Sequence, residues 1–403
     1  MLNKTMQSLG SQPSVIRETF EYGNALAAKI GRENVFDYSL GNPSTPPPPW
    51  VRQTLSALNE DENATALHGY TSAAGAPSVR RAIAEDLDAR LGANCAPQDI
   101  FMTCGAAASL TVSLHALCNA GDEVIVFAPF FPEYRVFVEG AGAALITVPP
   151  LLPSFSVDFA ALEAALGKNC KALILNTPNN PSGAVLSEET LRALGALLRR
   201  KEAEYGHAIY LISDEPYREL TWEEAAPRRA VTQYYDDALI CYSFSKSLSL
   251  PGERIGYIAI GGAAAEKEAL RDAVAGAARM LGFVCAPAMM QYLVAAHPAK
   301  TSDFSAYLEN RKILTDALRA MGYSFVPPQG AFYLFLKAPA ENAAAFCAKA
   351  REENLLLVPS DSFGMPGYVR ISYCVKTDMV RRSLAAFSRL AAHYGLQAQT
   401  EQK

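Results

Sequence analysis

Paired cysteines, clustered basic residues and long apolar runs are all missing from this chain of 403 residues. Its eight cysteines (Cys95, Cys104, Cys118, Cys170, Cys241, Cys285, Cys347 and Cys374) lie far apart. That spacing matches neither zinc-ligand pairs nor the disulfide framework of a small secreted domain, so free thiols in a reducing compartment are expected. The five histidines stand at no metal-ligand spacing to one another, and no metal is expected. Basic residues are scattered and the formal net charge is −5. Binding a phosphate backbone needs a concentrated basic face, so neither nucleic acid nor an anionic membrane is an expected partner. Met1 to Ile30 is polar and broken by charges, without the apolar core of a signal peptide. No run is apolar for long enough to span a bilayer. A soluble cytoplasmic protein is the expectation.

What is present is half hydrophobic by composition, with the patterning of an ordinary globular protein large enough for two or three cores. Short apolar runs alternate with helical patterns. Glu123-Val124-Ile125-Val126-Phe127, Lys171-Ala172-Leu173-Ile174-Leu175, Ile209-Tyr210-Leu211-Ile212 and Leu239-Ile240-Cys241-Tyr242 are brief, mostly unalternating and bounded by turn residues. Strands buried on both faces look like this. Helices are expected between them, at Ala106 to Cys118 and Ser187 to Tyr205. The alternation predicts an α/β fold with a mostly parallel sheet wrapped by helices.

Beyond residue 290 the pattern changes: one long helix from Met289 to Met321, strands near Ala331 to Leu336 and Tyr368 to Cys374, and a helix from Ala340 to Glu353. A smaller α+β domain is expected there. The division expected is 1–45 for an N-terminal arm and part of the small domain, 46–290 for the large domain and 291–403 for the small one. Pro43 to Pro48 reads as a stiff connector.

The polar residues of interest follow the strands, where open α/β sheets bind ligands. Lys246 lies in Ser243-Phe244-Ser245-Lys246-Ser247-Leu248-Ser249-Leu250-Pro251-Gly252-Glu253-Arg254. An amine so placed can form a Schiff base with an aldehyde cofactor, while hydroxyls and the arginine hold a phosphate. Gly105-Ala106-Ala107 opens a helix after a strand, and its backbone N–H groups suit a phosphate too. Asp214, in Ser213-Asp214-Glu215-Pro216-Tyr217, reads more readily on its own as a cap after a strand, and Tyr217 three residues on turns the reading toward a ligand. Asn180, in Asn179-Asn180-Pro181-Ser182-Gly183, read alone, marks only a turn.

Together, from Ser39-Leu40-Gly41-Asn42-Pro43 to Tyr368-Val369-Arg370-Ile371-Ser372, these segments resemble the fold type I, pyridoxal-phosphate-dependent aminotransferases of classes I and II, aspartate aminotransferases among them. The resemblance implies that Lys246 holds the cofactor aldehyde and then moves the substrate's α-proton. It implies Asp214 at the protonated pyridine nitrogen, and Tyr217 and Asn180 at the ring oxygen. Gly105, Ala106, Ala107, Ser243 and Arg254 would bind the phosphate of pyridoxal 5'-phosphate, and Phe131 would stack on its ring. Tyr70 would reach the phosphate in a neighbouring subunit, making the active unit a homodimer. Arg370 would clamp the substrate α-carboxylate, with Gly41 and Asn180 beside it.

Arg279 lies within one residue of the position at which some aspartate aminotransferases bind a distal carboxylate, and it is also readable as an interface arginine. The expected substrates are an amino acid, aspartate or a related one, and a 2-oxo acid such as 2-oxoglutarate, exchanged by a ping-pong cycle. A carbon–sulfur β-lyase acting on cystathionine or cysteine conjugates would use the same lysine and clamp. A regulator built on such a domain would add a basic DNA-binding segment, and none precedes Ser39.

Overall fold

A computed structural model of the chain describes residues 2–11, 14–60, 64–222, 229–340 and 342–397. Seven strands form its central sheet: Ile100–Thr103 (β1), Glu123–Phe127 (β2), Ala144–Val148 (β3), Cys170–Asn176 (β4), Tyr210–Asp214 (β5), Ala238–Ser243 (β6) and Gly256–Ile260 (β7). They lie in the order β1-β7-β6-β5-β4-β2-β3. Every residue of β1, β5, β6 and β7 is buried, which explains why these runs are continuous rather than alternating. Six strands run one way. β7 is antiparallel to both neighbours, pairing Tyr257 with Tyr242 on one side and with Met102 on the other.

Helices cover both faces. Ala106–Leu117 and Lys267–Leu281 pack one side through Leu110, Leu114, Leu270 and Val274. Pro77–Leu91, Glu188–Tyr205 and Ala288–Ala296 pack the other through Ile83, Leu87, Leu194 and Leu293. Ser187 caps the helix at Glu188, its Oγ accepting from the Thr190 amide at 3.1 Å, so the helix starts where the polar residue ends the loop. Among the described residues no helix is long and apolar enough to cross a membrane.

A separate apolar core gathers Tyr38, Tyr307, Leu314, Phe332, Phe346 and Phe387. Its sheet is antiparallel: Tyr333–Lys337 (β8), Val358–Pro359 (β9) and Tyr368–Ser372 (β10), in the order β8-β10-β9. Phe36–Asp37, from the N-terminal part, pairs with Leu355–Leu356 beside it.

The helix expected from Met289 to Met321 is two helices, Ala288–Ala296 and Ser305–Ala320. Pro298 lies just beyond the first, and a proline cannot continue the hydrogen-bond ladder. The intervening Ser302 amide instead donates to the Ser247 carbonyl at 2.7 Å. The connector after Pro43 is held by Tyr307, whose hydroxyl accepts from the amides of Ser44 and Thr45.

Candidate active site

The parallel strands end along one edge of the sheet, and four of their exits carry a side chain into a shared cavity of about 270 Å³. Phe131 follows β2, Asn180 follows β4, Asp214 ends β5 and Lys246 follows β6. Because β7 runs backwards, its beginning lies at that same edge and brings Arg254 there.

Lys246 sits in the short helix Phe244–Ser247, capped by Ser243. Its Nζ donates to the Gly41 carbonyl at 2.6 Å. Burial lowers its pKa to about 8, and the Arg370 and Arg254 charges push the same way. The amine is therefore far easier to deprotonate than a surface lysine.

Asp214 is buried. Its Oδ2 accepts a hydrogen bond from the Tyr134 hydroxyl at 2.5 Å, while Oδ1 has no partner among the described residues. Burial raises its pKa to about 7; the Tyr134 bond opposes this and Glu215 adds to it. A buried carboxylate with one oxygen held and one unpaired is built to meet a cationic N–H donor.

Tyr217 and Tyr333 share a hydrogen bond at 2.9 Å between their hydroxyls. Burial raises the pKa of Tyr217 well above the ordinary value, so it stays a neutral donor. Arg370, on β10, is only 2 % exposed. Its guanidinium donates to Asn180 Oδ1 at 3.1 Å and to the Ser39 carbonyl at 2.5 Å, and lies over the rings of Tyr333 and Phe363. Nε has no partner, and among the described residues no carboxylate pairs with this cation. A buried, uncompensated charge costs on the order of several kcal/mol, which an anionic ligand recovers.

At the other end, Gly105 caps Ala106–Leu117 with φ +85°. That left-handed backbone favours glycine, and a Cβ there would stand 2.9 Å from an Arg254 nitrogen and push the arginine off the helix start. The hydroxyls of Ser243 and Ser245 lie 2.7 Å apart on the same wall. Helix N-terminus, hydroxyls and guanidinium together make an anion cradle.

The cavity thus gathers Gly41, Gly105's helix through Ala106 and Ala107, Phe131, Asn180, Asp214, Tyr217, Ser243, Lys246, Arg254 and Arg370. Two expected residues lie outside it within one chain. Tyr70 is 99 % exposed, and Arg279 is exposed in the last turn of Lys267–Leu281. Tyr134, Tyr333 and Ser245 belong to the site and were not among the expected residues; Tyr134 stands three residues beyond Phe131.

The family model for aminotransferase class I and II matches residues 33–387. The chain belongs to that family. An aspartate aminotransferase of Thermotoga maritima is 30% identical over 376 residues, covering 92% of this chain and 95% of its own length. A crystal structure of an aminotransferase from Eubacterium rectale is 48% identical with a TM-score of 0.95, over 98% of this chain and 99% of that one. Aspartate aminotransferase of Thermus thermophilus, solved with maleate, is 26% identical with a TM-score of 0.83, over 97% and 99%.

The family depends on pyridoxal 5'-phosphate. The site fits that group at both ends: the unpaired Asp214 Oδ1 answers its ring nitrogen, and the Gly105 cradle, which a Cβ would fill, answers its phosphate.

Proposed function

We propose that this chain moves the α-amino group of an L-amino acid, aspartate or a related one, to a 2-oxo acid such as 2-oxoglutarate, in two half-reactions that alternate at one site. The observation that carries this reading is Arg370: a buried guanidinium without a carboxylate partner among the described residues, in the cavity that also holds the amine of Lys246. An α-carboxylate gripped there is oriented beside a base, and orientation of this kind is worth several kcal/mol, to order of magnitude.

When bound, the cofactor supplies an aldehyde for the amino group and a cationic ring that accepts the electron pair released at the α-carbon. Asp214 would keep the ring nitrogen protonated. Tyr217 and Asn180 would donate toward the ring oxygen, Phe131 would cover a ring face, and Ser243, Arg254 and the Ala106–Leu117 N-terminus would hold the phosphate. Lys246, with its pKa lowered to about 8, takes the proton from the α-carbon and returns it on the other side of the exchange.

The donor class is supported by relatives named aspartate aminotransferase and by the one solved with maleate, a four-carbon dicarboxylate. The exposure of Tyr70 and Arg279 fits a homodimer in which each reaches a neighbouring site.

The deciding measurement is the absorbance of the purified protein as single amino acids are added, with pyruvate release followed in parallel. Aspartate or glutamate converting the cofactor from its aldehyde to its amine form supports the reading. Cystathionine yielding pyruvate while the aldehyde form persists would replace it with a β-lyase.

A further inference from the structure

Beneath the catalytic turn lies a set of buried charges that the proposed reaction does not use. Glu215 directly follows Asp214, yet its carboxylate faces away from the cavity. Its Oε1 accepts from Ser213 Oγ at 2.6 Å and its Oε2 accepts from Arg218 Nε at 2.6 Å. The side chain of Arg218 is 8 % exposed. Its second arm donates to the Tyr257 hydroxyl at 2.8 Å, and its guanidinium lies 4.4 Å from the centre of the Tyr242 ring. Tyr242 and Tyr257 are register partners on β6 and β7, with stacked rings 5.0 Å apart. The Tyr242 hydroxyl in turn lies 2.8 Å from Ser247 Oγ, next to Lys246, and 2.8 Å from Glu219, which Arg90 faces at 3.9 Å.

One guanidinium therefore touches the turn that carries Asp214 and Tyr217 and both strands whose ends carry Lys246 and Arg254. We propose, on the reading of the site given above, that Arg218 is a positioning residue for the cofactor. It neutralises Glu215 and ties the Asp214–Tyr217 turn to β6 and β7, so that the carboxylate charge the cavity meets is that of Asp214.

The electrostatic half of this role has a definite sign. The groups facing Asp214 are Tyr134 from the helix Glu133–Gly140, Cys241 from β6, and Glu215 and Tyr217 from its own turn. Of these, Glu215 is the neighbour that carries a negative charge, and it pushes the Asp214 pKa upward. Without Arg218 that push grows, because a carboxylate loses the cation that shields it in a low-dielectric setting. Asp214 then keeps its proton to higher pH, where it can no longer balance a cationic ring nitrogen.

The test uses the full chain freed of cofactor and titrated with pyridoxal 5'-phosphate at a series of pH values, binding being followed by absorbance. In Arg218→Met the pH below which binding weakens should rise by about one unit, with about tenfold weaker binding near neutrality. In Glu215→Gln it should fall instead. The double variant Glu215→Gln/Arg218→Met should recover most of the lost affinity, which a purely structural role would not allow. A double variant as weak as Arg218→Met, or an unmoved midpoint in Glu215→Gln, overturns the proposal. The second of these readouts holds even where Arg218→Met fails to fold. A wild-type chain that binds no cofactor would remove the reading of the site itself; normal wild-type binding beside unmoved variants would remove only the role of Arg218.

Discussion

The hydroxyl of Tyr134 stands 2.5 Å from Asp214 Oδ2, joining residues 80 positions apart, and leaves Oδ1 as the half of the carboxylate open to a ligand. The bond fixes the carboxylate plane and favours its charged form. In Tyr134→Phe the carboxylate loses a charge-assisted bond, so the Asp214 pKa moves up from about 7. Cofactor binding near neutral pH should weaken about tenfold, the equivalent of roughly 1.4 kcal/mol. Titration of the cofactor-free variant checks this, and unchanged affinity would reduce Tyr134 to packing.

Asp214 also predicts how the cofactor-free chain responds to pH. Its pKa is raised from 3.8 to about 7, so between those values the folded chain holds a proton that the unfolded chain releases. Stability contributed at this site therefore falls as pH rises through that window and levels off above about 7. Asp214→Asn removes the dependence. Denaturant melts should show the variant gaining on the wild type as pH rises, and a constant difference would contradict the assignment.

For Lys246 the sign is reversed. A pKa lowered from 10.5 to about 8 means that the folded chain has shed a proton the unfolded chain still carries. Stability contributed by the site rises with pH between about 8 and 10.5. Covalent trapping of added cofactor by the cofactor-free chain should speed up as pH passes through about 8, rather than near 10.5. Lys246→Ala should abolish both trapping and turnover while leaving the circular dichroism spectrum unchanged.

Gly41 is constrained from the side. A Cβ there would stand 2.1 Å from the Tyr333 hydroxyl, which bonds Tyr217. Gly41→Ala should displace Tyr333 and cost roughly 1–3 kcal/mol of stability. Thermal melts report that loss, and a melting point equal to the wild type's would show that the loop yields freely.

Arg279→Ala separates the donor classes. If the residue serves a neighbouring site, kcat/KM for aspartate should drop far more than for alanine. Equal effects on both donors would make it an interface residue. No fold change is expected from a truncation at so exposed a position.

Much of this was legible in the chain because the central strands are buried on both faces. Continuous apolar runs ending in Asn176, Asp214 or Ser243 announce strand exits, and the residues just past them line the cavity. Lys246, Asp214, Asn180 and Arg370 could be read from that pattern and the family resemblance together. Tyr134 and Tyr333 could not. Tyr134 lies in a mixed helix and Tyr333 in a buried strand, and only packing across 80 and 116 positions pairs them with Asp214 and Tyr217. The break at Pro298, by contrast, is written in the chain: the proline and the polar run Lys300-Thr301-Ser302-Asp303 after it end one helix before the next begins. Arg218 carries no local signal, since the contacts that bury it come from β6 and β7.

The reversed direction of β7 has a genetic consequence. It brings residues eight positions apart to one cavity, where on the proposed function they would serve opposite ends of one cofactor, Lys246 at the aldehyde and Arg254 at the phosphate. A single small insertion or deletion between Ser247 and Glu253 would shift one against the other and disable both functions in one event. Length variation among descendants of this gene should therefore collect in the outer loops and be purged from that turn.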